Sequence, residues 1–134
     1  MNENRKPTIL YVDDDNRDLK LVEAILSPQG YDLRFSESAE DALKQISVEI
    51  PKLILLDIDM PGMSGLEALK TLLNDKSMRS SIVVILSGYR DAGNIKAAME
   101  LGATAYIQKP IDRVGLLGVI QAILGSQLRP VQKI

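Results

Sequence analysis

Four short apolar runs of the chain are each followed by side chains that could take part in phosphate chemistry. These side chains are Asp13 and Asp14, Asp57, Ser87 and Lys109. If the runs are strands of one parallel sheet, the side chains project from its carboxyl edge, where such sheets bind ligands. Crowded carboxylates repel one another unless a cation lies among them, and oxygen ligands favour Mg2+. A lysine facing this group indicates a site that handles phosphate.

Aspartates after a strand also have an ordinary structural explanation, because they cap the helix that comes next. That explanation accounts for Asp15 but leaves two more carboxylates at the end of a buried strand. Asp57 follows the apolar run LILL, where turn formation alone does not require a carboxylate. A carboxylate can attack a phosphoryl group and hold it as an acyl phosphate when cations neutralise the oxygens. We therefore predict that Asp57 is a nucleophile toward phosphate.

Ser87 could simply lie where a strand ends, and Lys109 could simply be a lysine in contact with solvent. Their positions favour a role, since a hydroxyl at the neighbouring strand end can donate to a phosphoryl oxygen. The small Gly88 leaves room for that approach. Lysine is a mobile point charge that suits phosphate, and Pro110 stiffens the loop that presents it.

Composition excludes several classes of protein. The chain has 134 residues, 46% hydrophobic and 25% charged, as expected for one globular domain. It contains no cysteine and no histidine, which excludes thiolate nucleophiles, Ser-His-Asp triads and phosphohistidine carriers. The net charge of -2 and the scattered basic residues argue against nucleic-acid binding by this domain. The absence of cysteine agrees with a reducing compartment, so we expect a cytoplasmic protein. No run approaches the roughly 18 apolar residues of a membrane span, so we expect it to be neither secreted nor membrane-spanning.

Strand-like and helix-like patterns alternate along the chain, as in βα units wound into a parallel sheet. The predicted strands are residues 8–12, 32–35, 53–56, 82–86 and 105–107. We predict a doubly wound α/β domain over residues 8–125. Residues 1–7 are predicted to be flexible, and residues 126–134 a tail or the start of a linker.

The last predicted helix shows an apolar stripe and two boundary signals. Asp112 is expected to cap its start, as Asp91 caps the helix before it, and Gly125 is expected to lie at its end. The residues expected in the core are Leu117, Ile120 and Leu124. The aliphatic residues expected at the surface, where a partner could dock or the helix is merely well covered, are Val114, Leu116 and Val119.

In combination, these residues resemble the receiver domains of two-component response regulators, including the chemotaxis response regulators. The resemblance covers roughly residues 7–124. It depends on an ordered set: Asp13-Asp14, Asp57-x-x-Met60-Pro61, Ser87-Gly88, Tyr106 and Lys109-Pro110. It implies a flavodoxin-like fold of five parallel strands in the order 2-1-3-4-5.

The resemblance also implies a role for each site residue. Asp57 resembles the phosphoacceptor and Asp14 a direct Mg2+ ligand, with Mn2+ as a substitute metal. Asp13 resembles a ligand that acts mainly through water, and Asp59 one that uses its backbone carbonyl. Lys109 resembles the lysine that pairs with the phosphoryl group, with a cis bond to Pro110. The side chains of Asp59 and Tyr89 resemble variable neighbours that tune the lifetime of the phosphoryl group.

Ser87 and Tyr106 resemble the switch pair of such domains. The hydroxyl would move toward the new phosphoryl oxygens, and the ring would swing inward and remodel the face formed by helix 4, strand 5 and helix 5. The implied partners are a histidine kinase or histidine phosphotransfer protein, and a downstream effector or output domain. The implied chemistry is phosphotransfer and autodephosphorylation within a signalling protein, not turnover by an enzyme.

Two alternatives stay open. A receiver-like adaptor would bind partners without phosphorylation, although such adaptors usually lack the acceptor, the acidic pair or the lysine. The segment DIDMP also resembles the nucleophile motif of haloacid-dehalogenase-type phosphatases. That family expects threonine or valine in place of Pro61, a late acidic pair and usually an inserted cap, and none of these features fits the chain.

Overall fold

The computed structural model describes residues 6–60, 65–78, 80–88 and 92–128. Several predictions fall outside these residues: the motif residue Pro61, the lifetime residue Tyr89, the helix cap Asp91, and most of the predicted flexible start (1–7) and tail (126–134). Within the described residues, five strands alternate with five α-helices. They are β1 (Thr8–Val12), α1 (Asn16–Leu26), β2 (Asp32–Ser36), α2 (Ala39–Val48), β3 (Leu53–Asp57), α3 (Gly65–Leu73), β4 (Ile82–Ser87), α4 (Ala92–Leu101), β5 (Ala105–Gln108) and α5 (Arg113–Leu128). Two short 3-10 turns, Ser27–Gln29 and Lys76–Met78, follow α1 and α3.

The strands form one sheet in the order β2-β1-β3-β4-β5, and every pair is parallel. The predicted fold class and strand order are therefore confirmed. β1 has the predicted bounds, and each other strand extends one residue further, to the polar residue that ends its apolar run. The backbone still pairs there: Asp57 lies opposite Leu86, and Ser87 lies opposite Gln108.

Helices cover both faces of the sheet, which explains why the strands read as continuous apolar runs. Strand residues alternate between the faces, so Leu53 and Leu55 pack with α1 and α5, whereas Ile54 and Leu56 pack with α2 and α3. All four side chains are at most 1% exposed. β3 is thus a central strand with both faces covered, and Asp57 is its last residue.

Aspartate side chains fix the start of two helices near the carboxyl edge. Asp15 accepts hydrogen bonds from the backbone N–H of Arg17 at 2.9 Å and of Asp18 at 3.4 Å. This confirms the expected capping role of Asp15 and places Asp18 in the first turn of α1. Asp112 accepts a bond from Gly115 N at 2.6 Å and caps α5 as expected.

The structure corrects two details of α5. Leu116 is fully buried, not exposed, because the core-facing stripe follows an i, i+4, i+8 spacing through Leu116, Ile120 and Leu124. Gly125 does not end the helix, which continues to Leu128. Val114 is 83% exposed, as expected. Among the described residues, no helix has the length and apolar character needed to cross a membrane.

Candidate functional site

The acidic residues meet at the carboxyl edge of the sheet. Asp13 directly follows β1, and Asp57 ends the adjacent strand β3, where Val12 and Leu56 lie in register. Asp13, Asp14 and Asp57 each offer a carboxylate oxygen, and these oxygens lie within 4.8 Å of one another. The predicted convergence of the three carboxylates is therefore confirmed.

This acidic group could hold a metal ion. Asp13 and Asp57 are buried, whereas Asp14 is exposed, so the group opens to solvent on one side. Buried carboxylates so close together are costly without compensating positive charge. Three oxygen donors at this spacing suit a hard cation such as Mg2+. The donor set therefore fits the Mg2+ that the resemblance implies.

Lys109 supplies positive charge inside the protein. Its Nζ lies 2.7 Å from Asp13 Oδ2, 2.9 Å from Asp18 Oδ2 and 3.2 Å from Asp57 Oδ2. Burial opposes the charged form of the lysine, but hydrogen bonds to Asp13 and Asp18 outweigh it and raise the pKa of Lys109. Its backbone N–H donates to Ser87 O at 2.8 Å, and its peptide bond to Pro110 is cis, as the resemblance implied. Lys109 is therefore a fixed cation beside Asp57.

Asp57 carries a strongly perturbed carboxyl group. Burial raises the pKa of Asp57 to about 7, and the nearby charge of Asp13 acts in the same direction. The backbone N–H of Asp59, which donates to Asp57 Oδ1 at 2.8 Å, and the ammonium of Lys109 oppose that rise. A cation bound at this site would favour the ionised form, which is the form that can act as a nucleophile.

Sequence reasoning missed two residues of the site, Tyr11 and Asp18. Tyr11 donates its hydroxyl to Asp13 Oδ2, while Asp15 N donates to Asp13 Oδ1 at 2.9 Å. Burial, and after it the hydrogen bond to Asp13, raise the pKa of the Tyr11 phenol. A signal for Tyr11 was available, because residues two apart on a strand share one face. The contact of Asp18 with Lys109 depends on how α1 packs near β5, which no local pattern reveals.

Ser87 lies at the neighbouring strand end, as predicted, and is fully buried. Its hydroxyl donates to Asp59 Oδ2 at 3.1 Å, and Gly88 N donates to the same oxygen at 2.8 Å. The Asp59 side chain thus ties the end of β4 to the loop after β3. The predicted role of the Asp59 backbone carbonyl in metal binding stays a prediction.

Tyr106 lies on the edge strand β5, opposite Ile85 of β4. The residue is 47% exposed, whereas the next residue, Ile107, is 8% exposed. Strand alternation explains this difference, because neighbouring residues of a strand point to opposite faces of the sheet. About half of the tyrosine is therefore accessible to solvent in the unmodified protein.

Comparisons with known proteins show the family of this chain. The family model described as the response regulator receiver domain matches residues 9–121. The response regulator PleD of Caulobacter vibrioides is 32% identical over 120 residues, which are 90% of this chain and 26% of PleD. The polar-differentiation response regulator DivK of Brucella ovis is 30% identical over 119 residues, covering 89% of this chain and 97% of DivK.

A solved structure of a receiver domain protein is also similar to this chain. The CheY-like response regulator receiver domain protein of Methanospirillum hungatei aligns with a TM-score of 0.83 and 32% identity, covering 92% of this chain and 97% of the other. This chain spans only about a quarter of PleD. Receiver domains in general interact with kinases and effectors. The match to the family model over residues 9–121 places the chain among the response regulator receiver domains of two-component systems.

Proposed function

We propose that this chain is a cytoplasmic phosphorylation switch in which Asp57 is the phosphoacceptor. The phosphoryl donor is the phosphohistidine of a kinase or phosphotransfer protein, or a small acyl phosphate. One observation carries the proposal: a buried carboxylate, Asp57, lies within 4.8 Å of two further carboxylates and 3.2 Å from the Lys109 ammonium. Nucleophile, metal-binding oxygens and a fixed cation are thereby combined in one place.

In the proposed reaction, a carboxylate oxygen of Asp57 attacks the phosphorus atom. A bond forms between that oxygen and phosphorus, the bond from phosphorus to the donor nitrogen or oxygen breaks, and its electron pair leaves with the donor. Bound Mg2+ would neutralise charge on the phosphoryl oxygens. Lys109 supports the same charge from the protein side, since its ammonium already lies beside Asp57. Hydrolysis of the acyl phosphate on Asp57 resets the switch.

The metal would be held by Asp14 and Asp57 directly and by the Asp59 backbone carbonyl, with Mn2+ able to replace Mg2+. Asp13 would act through water, as the family resemblance implies, and its carboxylate oxygens accept hydrogen bonds from Tyr11, Asp15 and Lys109. These bonds leave Asp13 less free than the exposed Asp14 to turn toward an ion. This difference supports separate roles for the adjacent aspartates.

The proposed output uses Ser87 and Tyr106. A phosphoryl group on Asp57 carries about -1.5 to -2 charge and three strong acceptor oxygens, which compete for the Ser87 hydroxyl. Movement of Ser87 lets Tyr106 turn inward and repack the face formed by α4, β5 and α5. An effector protein or output domain that prefers one packing reads the difference. Direct contact with nucleic acid is not part of this proposal.

The test is intact-mass measurement after incubation with acetyl phosphate, with and without Mg2+. We expect one added phosphoryl group that requires Mg2+ and disappears in Asp57→Asn. A matched control is Asp75→Asn, which removes an exposed carboxylate away from the site and should leave labelling unchanged. Absence of Mg2+-dependent labelling would favour the adaptor, and multiple turnover of a phosphomonoester would favour a phosphatase.

A further inference from the structure

The ammonium group of Lys109 has all of its donors engaged. A lysine ammonium carries three N–H donors. Among the described residues, Lys109 Nζ lies at hydrogen-bonding distance from one oxygen each of Asp13, Asp18 and Asp57. A phosphoryl oxygen that needs a hydrogen bond from Lys109 must therefore displace one of these carboxylates.

The three carboxylates are not equally easy to displace. The side chain of Asp13 is fully buried and also accepts the Tyr11 hydroxyl, and Asp57 carries the phosphoryl group itself. Asp18 is 23% exposed, against 0% for Asp13 and 4% for Asp57. It is also outside the set of three carboxylates that could hold a metal. Water can replace Lys109 at Asp18 at the lowest cost.

Resting on the proposed function, we propose that Asp18 is a positioning residue. It holds Lys109 in the unmodified state and releases it to the phosphoryl group. Asp18 then competes with the phosphoryl oxygens for the third donor of Lys109. This competition biases the site toward the unmodified state, so Asp18 sets how readily the switch is turned on.

A purely structural role for Asp18 makes a different prediction. An acidic residue in the first turn of a helix interacts favourably with the helix dipole. Its loss would lower the stability of the protein without strengthening the binding of any ligand. Tighter binding of a phosphoryl mimic after removal of Asp18 is therefore the distinguishing result.

The main test is a titration with beryllofluoride, a phosphoryl mimic, at saturating Mg2+, followed by the NMR signals of backbone amides. Loss of a partly exposed ion pair predicts that Asp18→Asn binds about two- to fivefold more tightly than wild type. Glu23→Gln removes the same charge from an exposed position further along α1 and should bind as wild type does. Equal or weaker binding by Asp18→Asn would overturn the inference.

A second measurement needs no ligand. In metal-free protein, the free energies of unfolding of Asp18→Asn, Lys109→Gln and the double variant form a cycle that isolates the contact between the two side chains. We expect a favourable coupling between the two side chains. If the changes in the free energy of unfolding of the single variants simply add in the double variant, the contact between Asp18 and Lys109 in the unmodified protein is contradicted. The two proposals fail separately: wild type that binds no beryllofluoride contradicts the phosphoacceptor, whereas binding unaffected by Asp18→Asn contradicts only the role of Asp18.

Discussion

Lys109 Nζ lies 3.2 Å from Asp57 Oδ2, although the two residues are 52 positions apart in the chain. The sheet explains this contact, because Asp57 ends β3 and Lys109 follows β5, on the other side of β4. The backbone bond from Lys109 N to Ser87 O ties the lysine to the end of β4. The lysine is therefore already in place before any phosphoryl group arrives.

Replacing Lys109 by Gln should destabilise the metal-free protein and impair phosphorylation. Removing the cation leaves Asp13, Asp18 and Asp57 without their shared partner, and breaking a buried ion pair costs about 3 kcal/mol. Urea denaturation measures this loss, and Lys20→Gln, an exposed lysine on α1, is the control. We also expect at least about tenfold slower labelling by acetyl phosphate. Wild-type stability in Lys109→Gln would contradict the role of the lysine as a counter-charge.

The raised pKa of Asp57 predicts a pH-dependent stability without metal. Burial raises this pKa from 3.8 to about 7, so the folded state favours the protonated carboxyl. The resulting stabilisation is complete below about pH 4 and is lost as the pH rises toward 7. Asp57→Asn has no such loss. In the presence of chelator, its melting temperature should therefore rise relative to that of wild type as the pH increases from 5 to 8. A constant difference across this range would contradict the raised pKa.

Mg2+ should oppose the loss of wild-type stability that occurs as the pH rises. Metal binding requires ionised carboxylates, so Mg2+ should raise the melting temperature more at pH 8 than at pH 5.5. Asp57→Asn lacks a ligand and should respond less. Asp75→Asn is the matched control, because hydrogen bonds from Ser77 lower the pKa of Asp75 and its removal cannot mimic the loss of Asp57. Equal responses of wild type and Asp57→Asn to Mg2+ would contradict metal binding at Asp57.

Gly65 should not tolerate a side chain. A Cβ at this first residue of α3 would lie 2.1 Å from Ile58 Cα and 2.7 Å from Asp57 O, both backbone atoms directly beside the site. We expect Gly65→Ala to lower the free energy of unfolding by about 3 kcal/mol. Gly118→Ala is the control, since a Cβ within α5 meets nothing within 4 Å there and should stabilise the protein by about 0.5 to 1 kcal/mol. Denaturant titration of both variants checks these opposite signs.

The ring of Tyr106 should change its environment when the switch is turned on. It is 47% exposed in the unmodified protein, so an inward turn moves it from solvent into packed surroundings. Ring proton NMR with Mg2+ and beryllofluoride should show large shifts for Tyr106. Tyr31 is a reference, because it is buried beside the amino end of β2, at the opposite edge of the sheet. Unchanged Tyr106 shifts would contradict the proposed switch.

Local pattern was sufficient for most of the fold. The strand ends fell within one residue of prediction because each apolar run stops at a polar residue whose backbone still pairs with its neighbours. Pattern was insufficient in α5, where nearly every residue is apolar or small and periodicity does not single out one face. Packing against the sheet placed Leu116 in the core, and the helix continues past Gly125.

The order of polar residues after apolar runs determined by itself that Asp13, Asp14, Asp57, Ser87 and Lys109 would share one edge of a sheet. This follows from local periodicity and from the rule that parallel strands present their carboxyl ends together. Only the tertiary structure decided which side chains touch: Tyr11 on Asp13, Asp18 on Lys109 and Asp59 on Ser87. Such contacts depend on the positions of helices and loops to within an ångström or so. Those positions are set by the packing of the whole core and not by neighbouring residues in the chain.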